Sequence, residues 1–127
     1  MINTRELRVE NLVLSPVGWI GKVYNVSPQF VTLIDDNLAP YVFGQDLIDP
    51  IPITPEWLER LGFEKGGKDG NDFYFGDFRF FAEDNDWNDL YLNTYFNGRY
   101  IGVNPRHVHT MQNLVFALSE TELTIKQ

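Results

Sequence analysis

Hydrophobic and polar positions follow one period in most of this chain and another near its end. Up to about residue 49, short apolar runs alternate with turn signals such as Ser27-Pro28. Examples are Leu7–Leu14 and Phe30–Asp35, which are rich in Leu, Val and Ile. Short strands separated by frequent turns are typical of a small antiparallel barrel or rolled sheet. Residues 1–49 are therefore predicted to form a barrel-like β subdomain.

A proline-rich stretch separates this part from the rest. Prolines at every second or third position over residues 49–55 predict a stiff extended connector, because proline fixes φ and has no N–H donor. Thr54 suits the N-cap of a helix and Pro55 its first position, while Gly62 suits the residue after its end. The pattern predicts a two-turn helix over Thr54–Leu61.

Two aromatic hairpins are predicted next. Phenylalanines alternate along Asp72–Ala82 and are interrupted by Gly76-Asp77, which predicts two strands joined by a tight turn. Asn97-Gly98 lies between the apolar runs Leu90–Phe96 and Arg99–Val103. This dipeptide favours the two positive φ values of a type I′ turn, so a second hairpin is predicted there.

The longest helix is predicted over Asn104–Ser119, with Asn104 as its N-cap and Pro105 as its first residue. Its apolar stripe consists of Val108, Met111, Val115 and Leu118. The predicted class is α+β, in which this helix and the short one cover an antiparallel sheet in a 50–127 subdomain. The two subdomains are expected to form one compact domain.

Composition limits the function. The absence of cysteine excludes disulfides and thiolate zinc sites. Net charge is −8, with 10 basic against 18 acidic side chains and no basic segment, so duplex nucleic acid is not expected as a partner. Neither a secretory signal nor a membrane-spanning apolar run is recognisable, which predicts a cytoplasmic protein without membrane contact.

Two groups of residues suggest metal chemistry. His107 and His109 are two positions apart, and on a helix they would lie about 200° from each other and could not share an ion. Asp84, Asp86 and Asn88 match the first odd positions of a calcium loop. That loop also needs Gly and Glu at the positions of Asp89 and Tyr95, so a solvated turn is the favoured interpretation and no cofactor is predicted.

Candidate binding residues come from two other patterns. Trp87, Tyr91 and Tyr95, with Tyr100, can form an aromatic surface for stacking or for a partner protein. His109, Gln112 and Asn113 form a polar shoulder on the predicted long helix that core packing does not require.

Three segments carry a resemblance to a known family. They are the opening LRVENLVL, the stretch IPITPEWLERLGFEK at 51–65 and the stretch RHVHTMQNLVFALSETELTI at 106–125. The last two resemble the patterns IPLTEEWLLKLGF and YVHQLQNLYFALTGEEL of small uncharacterised proteins from Bacteroides-type bacteria, their phages and mobile elements. The resemblance implies a bacterial or phage setting and places Trp57, His109, Gln112 and Asn113 in the family motif. It implies no activity.

Two functional hypotheses follow. The first is a non-enzymatic protein-interaction module, an accessory protein of a phage or mobile element, with a protein partner or a second copy of itself. The second is a small metal-dependent or acid–base enzyme that uses a histidine with carboxylates of the 77–89 loop. It requires His107 or His109 to meet two of those carboxylates in one pocket.

Overall fold

The computed structural model describes residues 6–66, 72–82 and 92–125. Within these ranges the chain has two antiparallel sheets and two α-helices, which confirms the predicted α+β class. The chain divides into two compact units, each built from two segments. The N-terminal unit contains Met1–Pro52 and His107–Leu114, and the C-terminal unit contains Ile53–Arg106 and Val115–Gln127. No helix among the described residues is long and apolar enough to cross a membrane.

The N-terminal unit contains a four-stranded sheet in which consecutive strands are antiparallel neighbours. Its strands are β1 (Leu12–Leu14), β2 (Ile20–Val26), β3 (Phe30–Ile34) and β4 (Pro40–Gly44). A short 3-10 helix at Gln45–Leu47 follows, and Asp49 then pairs with Leu14. The sheet is not closed, so the predicted barrel-like shape describes it only loosely.

The first strand is shorter than predicted. The strand predicted over Leu7–Leu14 is confined to Leu12–Leu14 because a tight turn precedes it. The Asn11 side chain accepts a hydrogen bond from the Arg8 amide at 2.7 Å, and Glu10 has a φ of +84°. Positive φ is incompatible with a regular strand, so β1 begins only after this turn.

One face of this sheet forms the core of the N-terminal unit. The fully buried members are Val13, Val23, Val31, Leu33 and Ile48. Trp19 and Phe43 are partly buried and pack against them. Gly21 makes this packing possible, because a Cβ there would lie 2.9 Å from side-chain atoms of both Leu33 and Trp19.

The C-terminal unit begins with helix α1 (Pro55–Arg60), whose predicted ends are both confirmed. The Thr54 hydroxyl accepts a hydrogen bond from the Trp57 amide, as an N-cap does. Gly62 has a φ of +92°, and the amides of Gly62 and Phe63 donate to the carbonyls of Glu59 and Leu58. These two bonds make a Schellman motif, so the helix ends where glycine permits a left-handed residue.

Five antiparallel strands then form the second sheet. They are β5 (Glu64–Gly66), β6 (Asp72–Phe75), β7 (Phe78–Ala82), β8 (Leu92–Phe96) and β9 (Arg99–Tyr100), in that order. Strand alternation buries Phe73, Phe78 and Phe80 on one face. Asn97 and Gly98 have φ values of +53° and +78°, as predicted for the β8–β9 hairpin. Its second strand is shorter than the predicted Arg99–Val103.

Helix α2 is Val108–Ser119, so the predicted start at Asn104-Pro105 is wrong. The Asn104 side chain instead accepts a hydrogen bond from the Leu92 amide at 2.8 Å. His107 pairs with Pro52 as an isolated β-bridge, and its amide donates to the Thr110 hydroxyl at 3.2 Å. These contacts hold the preceding residues outside the helix, so the helix begins at Val108, three residues after the predicted first residue Pro105.

The apolar stripe of α2 is confirmed at three of its four positions. Val108, Met111 and Val115 are fully buried, whereas Leu118 is 41% exposed. The last turn of the helix therefore contributes less apolar burial than the sequence predicts.

Candidate functional site

The polar shoulder of α2 lies in the N-terminal unit, where Gln112 is completely buried. Its side-chain oxygen accepts a hydrogen bond from the Leu12 amide at 2.8 Å, and its nitrogen donates to the Glu10 carbonyl at 3.2 Å. These two partners are backbone groups at the start of β1, and the Asn11 side-chain amide also donates to the Gln112 oxygen at 3.5 Å. A buried backbone group without a partner destabilises the fold, so Gln112 stabilises the start of β1 by supplying hydrogen bonds to these groups.

Asn113 extends these contacts toward the surface. Its side-chain oxygen accepts hydrogen bonds from Asn11 at 2.8 Å and from the Arg8 guanidinium at 3.1 Å, and its nitrogen donates to the Glu6 carbonyl. We name Gln112 and Asn113 together with these partners the Gln112 network. Two of the predicted binding residues thus have partners within the chain itself.

His109, the third shoulder residue, is 1% exposed. Its Nε2 lies 3.3 Å from the Glu6 carboxylate. Burial lowers the pKa of His109 below its usual value, and the nearby His107 lowers it too, while the hydrogen bond and the charge of Glu6 act in the opposite direction. His109 is therefore a mainly neutral imidazole at neutral pH.

The two histidines are neighbours, contrary to the sequence prediction. Their rings are nearly parallel, with an angle of 11° and centres 5.8 Å apart. The prediction of opposite helix faces was wrong because His107 precedes the helix. Across the described ranges, no group of three or more His, Asp and Glu side chains is arranged to hold a metal ion.

Several predicted site residues lie outside the described part of the chain. They are Asp84, Asp86, Trp87, Asn88 and Tyr91. The weak calcium site and part of the aromatic surface therefore remain predictions.

Tyr95 lies on the other face of the C-terminal sheet from the buried phenylalanines. It pairs with Arg79 on β7 and with Tyr100 on β9. The Arg79 guanidinium is 5.2 Å from the Tyr95 ring centre, and the rings of Tyr95 and Tyr100 are 5.6 Å apart. These distances suit cation–π and aromatic contacts.

The Arg79 side chain is fixed from its other side by Asp72. One guanidinium nitrogen lies 3.2 Å from both carboxylate oxygens, and the Tyr74 hydroxyl donates to the same carboxylate at 3.2 Å. Burial alone would lower the pKa of Arg79, but the charge and hydrogen bonds of Asp72 raise it. We name Asp72, Tyr74, Arg79, Tyr95 and Tyr100 the Arg79 face.

Three residues of the Arg79 face are open to solvent, whereas Asp72 is buried. Tyr74 is 40% exposed, Tyr100 is 54% exposed and the Arg79 side chain is 41% exposed. The aromatic pattern predicts Tyr95 and Tyr100 as binding residues but does not predict Arg79 or Asp72. Strand alternation alone predicts that Arg79 points to the other face of the sheet from Phe78 and Phe80. Its ion pair with Asp72, however, depends on the register between β6 and β7.

No protein-family model matches the chain, and neither the curated proteins nor the solved structures gave a match.

Proposed function

We propose that the protein is a non-enzymatic protein-interaction module that binds its partner through the Arg79 face. The observation that carries the proposal is an arginine held between the Tyr95 ring and the Asp72 carboxylate on the sheet face opposite the buried phenylalanines. Arg79 contacts Tyr95 on one side and Asp72 on the other. Tyrosine and arginine dominate the strongest contacts of protein interfaces.

The arrangement also reduces the cost of binding. A free arginine side chain loses much rotamer freedom when a partner immobilises it. Asp72 and Tyr95 already restrict Arg79. The ring contact between Tyr95 and Tyr100 and the hydrogen bond from Tyr74 to Asp72 restrict the tyrosines. A partner therefore meets a surface whose side chains are largely ordered before contact.

Its charge favours a protein over a nucleic acid. Asp72 balances the charge of Arg79 within the face, and the whole chain carries a net charge of −8. Binding to a phosphate backbone requires cations that are not already ion-paired. A protein partner can instead contact exposed aromatic rings and an arginine whose charge is balanced by a neighbouring carboxylate. This supports the expectation that duplex nucleic acid is not the partner.

The setting is inferred from the resemblance of the two motif segments. It supports a cytoplasmic accessory protein of a bacterial phage or mobile element, with a host or phage protein as the partner. A second copy of the chain is the other candidate for the same face.

Site-specific photo-crosslinking in a lysate of a Bacteroides-type host tests the proposal. A photoreactive phenylalanine replaces Tyr100 in one protein, and in the matched control it replaces Tyr24, which is 61% exposed in the N-terminal unit. We expect a discrete cross-linked protein from position 100 and none from position 24. Adding Arg79→Ala or Tyr95→Ala should reduce the yield about tenfold or more, the loss typical of an interface hot spot.

Two results would contradict the proposal. One is equal cross-linking from both positions, and the other is a product at position 100 that does not respond to either substitution. A product of twice the chain mass, together with a dimer in sedimentation velocity, would identify a second copy as the partner.

A further inference from the structure

Strand β4 is an edge of the N-terminal sheet and pairs only with β3 within the described ranges. Its register places Tyr41 opposite Leu33 and Phe43 opposite Val31. Hydrogen bonds from Asp35 to Ala39 and from Gln45 to Gln29 extend the same ladder at its two ends. Since hydrogen-bonded pairs alternate in an antiparallel ladder, Tyr41 and Phe43 bond to β3, while Val42 directs its amide and carbonyl to the open edge and Gly44 directs its amide there. The Gly44 carbonyl belongs to the 3-10 helix that Gly44 caps.

This edge lacks the usual protection against pairing. Natural edge strands carry charged residues, bulges or internal prolines that prevent another strand from adding. β4 has no charged residue, and its proline is the first residue, Pro40. Val42 at the centre of the strand is 64% exposed.

An aromatic cluster lies beside the edge on the sheet face that forms the core. The Trp19 ring centre is 5.5 Å from that of Tyr41 and 5.9 Å from that of Phe43. Tyr41 remains 46% exposed. A strand added to β4 would place alternate side chains against this cluster, where a cation gains a cation–π contact.

The charges around β4 indicate what kind of strand would pair with its open edge. The chain has no lysine or arginine between Lys22 and Arg60. Asp35 and Asp36 precede β4 and Asp46 follows it. Antiparallel pairing of two copies would bring Asp46 of each toward the acidic turn of the other, which disfavours a second copy as the occupant.

We propose that β4 accepts an extended basic segment of another protein as an additional strand. Main-chain hydrogen bonds form at Val42 and Gly44, and lysine or arginine side chains of the segment face Asp35, Asp36 and Asp46. The aromatic ring of Tyr41 contacts one of these cations. This surface lies in the other unit from the Arg79 face and does not depend on it.

Selection from a random dodecamer library displayed on phage, against the full chain, tests the proposal. We expect selected peptides to be rich in Lys and Arg alternating with β-branched residues. A synthetic selected peptide should protect the Val42 and Gly44 amides from hydrogen exchange, and its analogue with N-methyl groups at alternate residues should bind about tenfold more weakly or worse, because it cannot complete the ladder.

Val42→Pro is the first test variant. It removes an amide that faces the open edge and is not used in pairing with β3, so the folded sheet should tolerate it while the peptide loses affinity about tenfold or more. The triple variant Asp35→Asn, Asp36→Asn, Asp46→Asn keeps the backbone edge and should weaken binding, with a reduced salt dependence. It provides a second test if Val42→Pro does not fold.

Several results would overturn the proposal. They are selected peptides without basic enrichment, equal binding of the N-methylated analogue, or unchanged binding to both variants. A chain dimer that protects the same two amides would overturn it in favour of a second copy. Loss of binding with Arg79→Ala would assign the peptide to the Arg79 face instead.

Discussion

The Gln112 network and the Arg79 face both combine polar side chains with hydrogen bonds, but they differ in what those bonds satisfy. Gln112 is completely buried and bonds to backbone groups of the turn and strand near Leu12. Arg79 is partly exposed and bonds to another side chain, Asp72. The first arrangement fixes the path of the chain, and the second fixes the shape of a surface.

The difference separates two kinds of polar residue that look alike in a sequence. Loss of a side chain that satisfies a buried backbone group leaves that group without a partner, which costs stability. Loss of the partly exposed Arg79 side chain removes a solvent-screened ion pair and leaves Asp72 with the Tyr74 hydroxyl as a partner, which costs less. Substitutions in the two regions should therefore affect different measurements.

The largest effect is expected for Gln112→Met, which keeps the length of the side chain but removes its hydrogen bonds to Leu12, Glu10 and Asn11. The Leu12 amide and the Glu10 carbonyl lose these partners, at about 1–3 kcal/mol for each buried group. We expect the free energy of unfolding to fall by about 2–5 kcal/mol in urea titrations followed by circular dichroism.

Gln29→Met is the matched control, because Gln29 is an exposed residue. Its free energy of unfolding should stay within about 0.5 kcal/mol of the wild-type value. Similar losses in the two variants would show that Gln112 acts through general packing and would remove the distinction drawn above.

A smaller effect is expected from protonation of His109. The folded chain lowers its pKa from the usual 6.5, so below about pH 6.5 the unfolded chain binds a proton that the folded chain does not. The contribution of neutral His109 to the free energy of unfolding should therefore be fully present above that pH. It should decrease as the pH falls, until the pH reaches the pKa of His109 in the folded chain. The slope has an upper limit of about 1.4 kcal/mol per pH unit.

His109→Gln isolates this contribution, since glutamine does not titrate and the carboxylates and His107 are present in both proteins. The difference in unfolding free energy between wild type and variant should change between pH 7.5 and pH 5.5. Parallel curves over this range would show that the folded and unfolded chains bind the proton equally. Glu6→Gln should lower the pKa of His109 further, which histidine NMR can measure.

The smallest effect on stability is expected for Arg79→Gln. The Arg79 side chain is 41% exposed, so solvent screens its ion pair with Asp72. The Asp72 side chain is only 12% exposed, but it keeps the hydrogen bond from the Tyr74 hydroxyl and can accept one from the new glutamine, so the loss should stay near about 1 kcal/mol. Partner cross-linking from position 100 should nevertheless fall. A stability loss above about 2 kcal/mol without a change in cross-linking would make the Arg79 face a structural feature like the Gln112 network.

The sequence predicted those elements whose signals are local. The ends of α1 follow from Thr54 and Gly62, and the β8–β9 hairpin follows from Asn97-Gly98. The predicted start of α2 was wrong although Asn104-Pro105 is a good local signal for a helix start. The Asn104 side chain accepts a hydrogen bond from the amide of Leu92, twelve residues earlier, and so does not cap the helix. A contact at that distance cannot be seen in a helical pattern.

The candidate sites show the same limit. The polar shoulder was singled out because apolar packing does not explain Gln112 and Asn113, yet only the structure shows that their partners lie near residue 10. Tyr95 is predicted from the pattern of aromatic residues, whereas Arg79 and Asp72 come together only through the register of β6 and β7. The open edge of β4 likewise depends on the order of strands in the sheet.

The two-segment make-up of the N-terminal unit has a consequence for synthesis on the ribosome. Residues 12–44 can pair into hairpins as they emerge, but the acceptor for the Leu12 amide is Gln112, about a hundred residues later. Until that residue leaves the exit tunnel, the start of β1 lacks this hydrogen bond, and the unit reaches its full stability only after the C-terminal sheet has been translated. Premature termination anywhere before residue 107 should therefore yield a nascent chain that cellular proteases recognise.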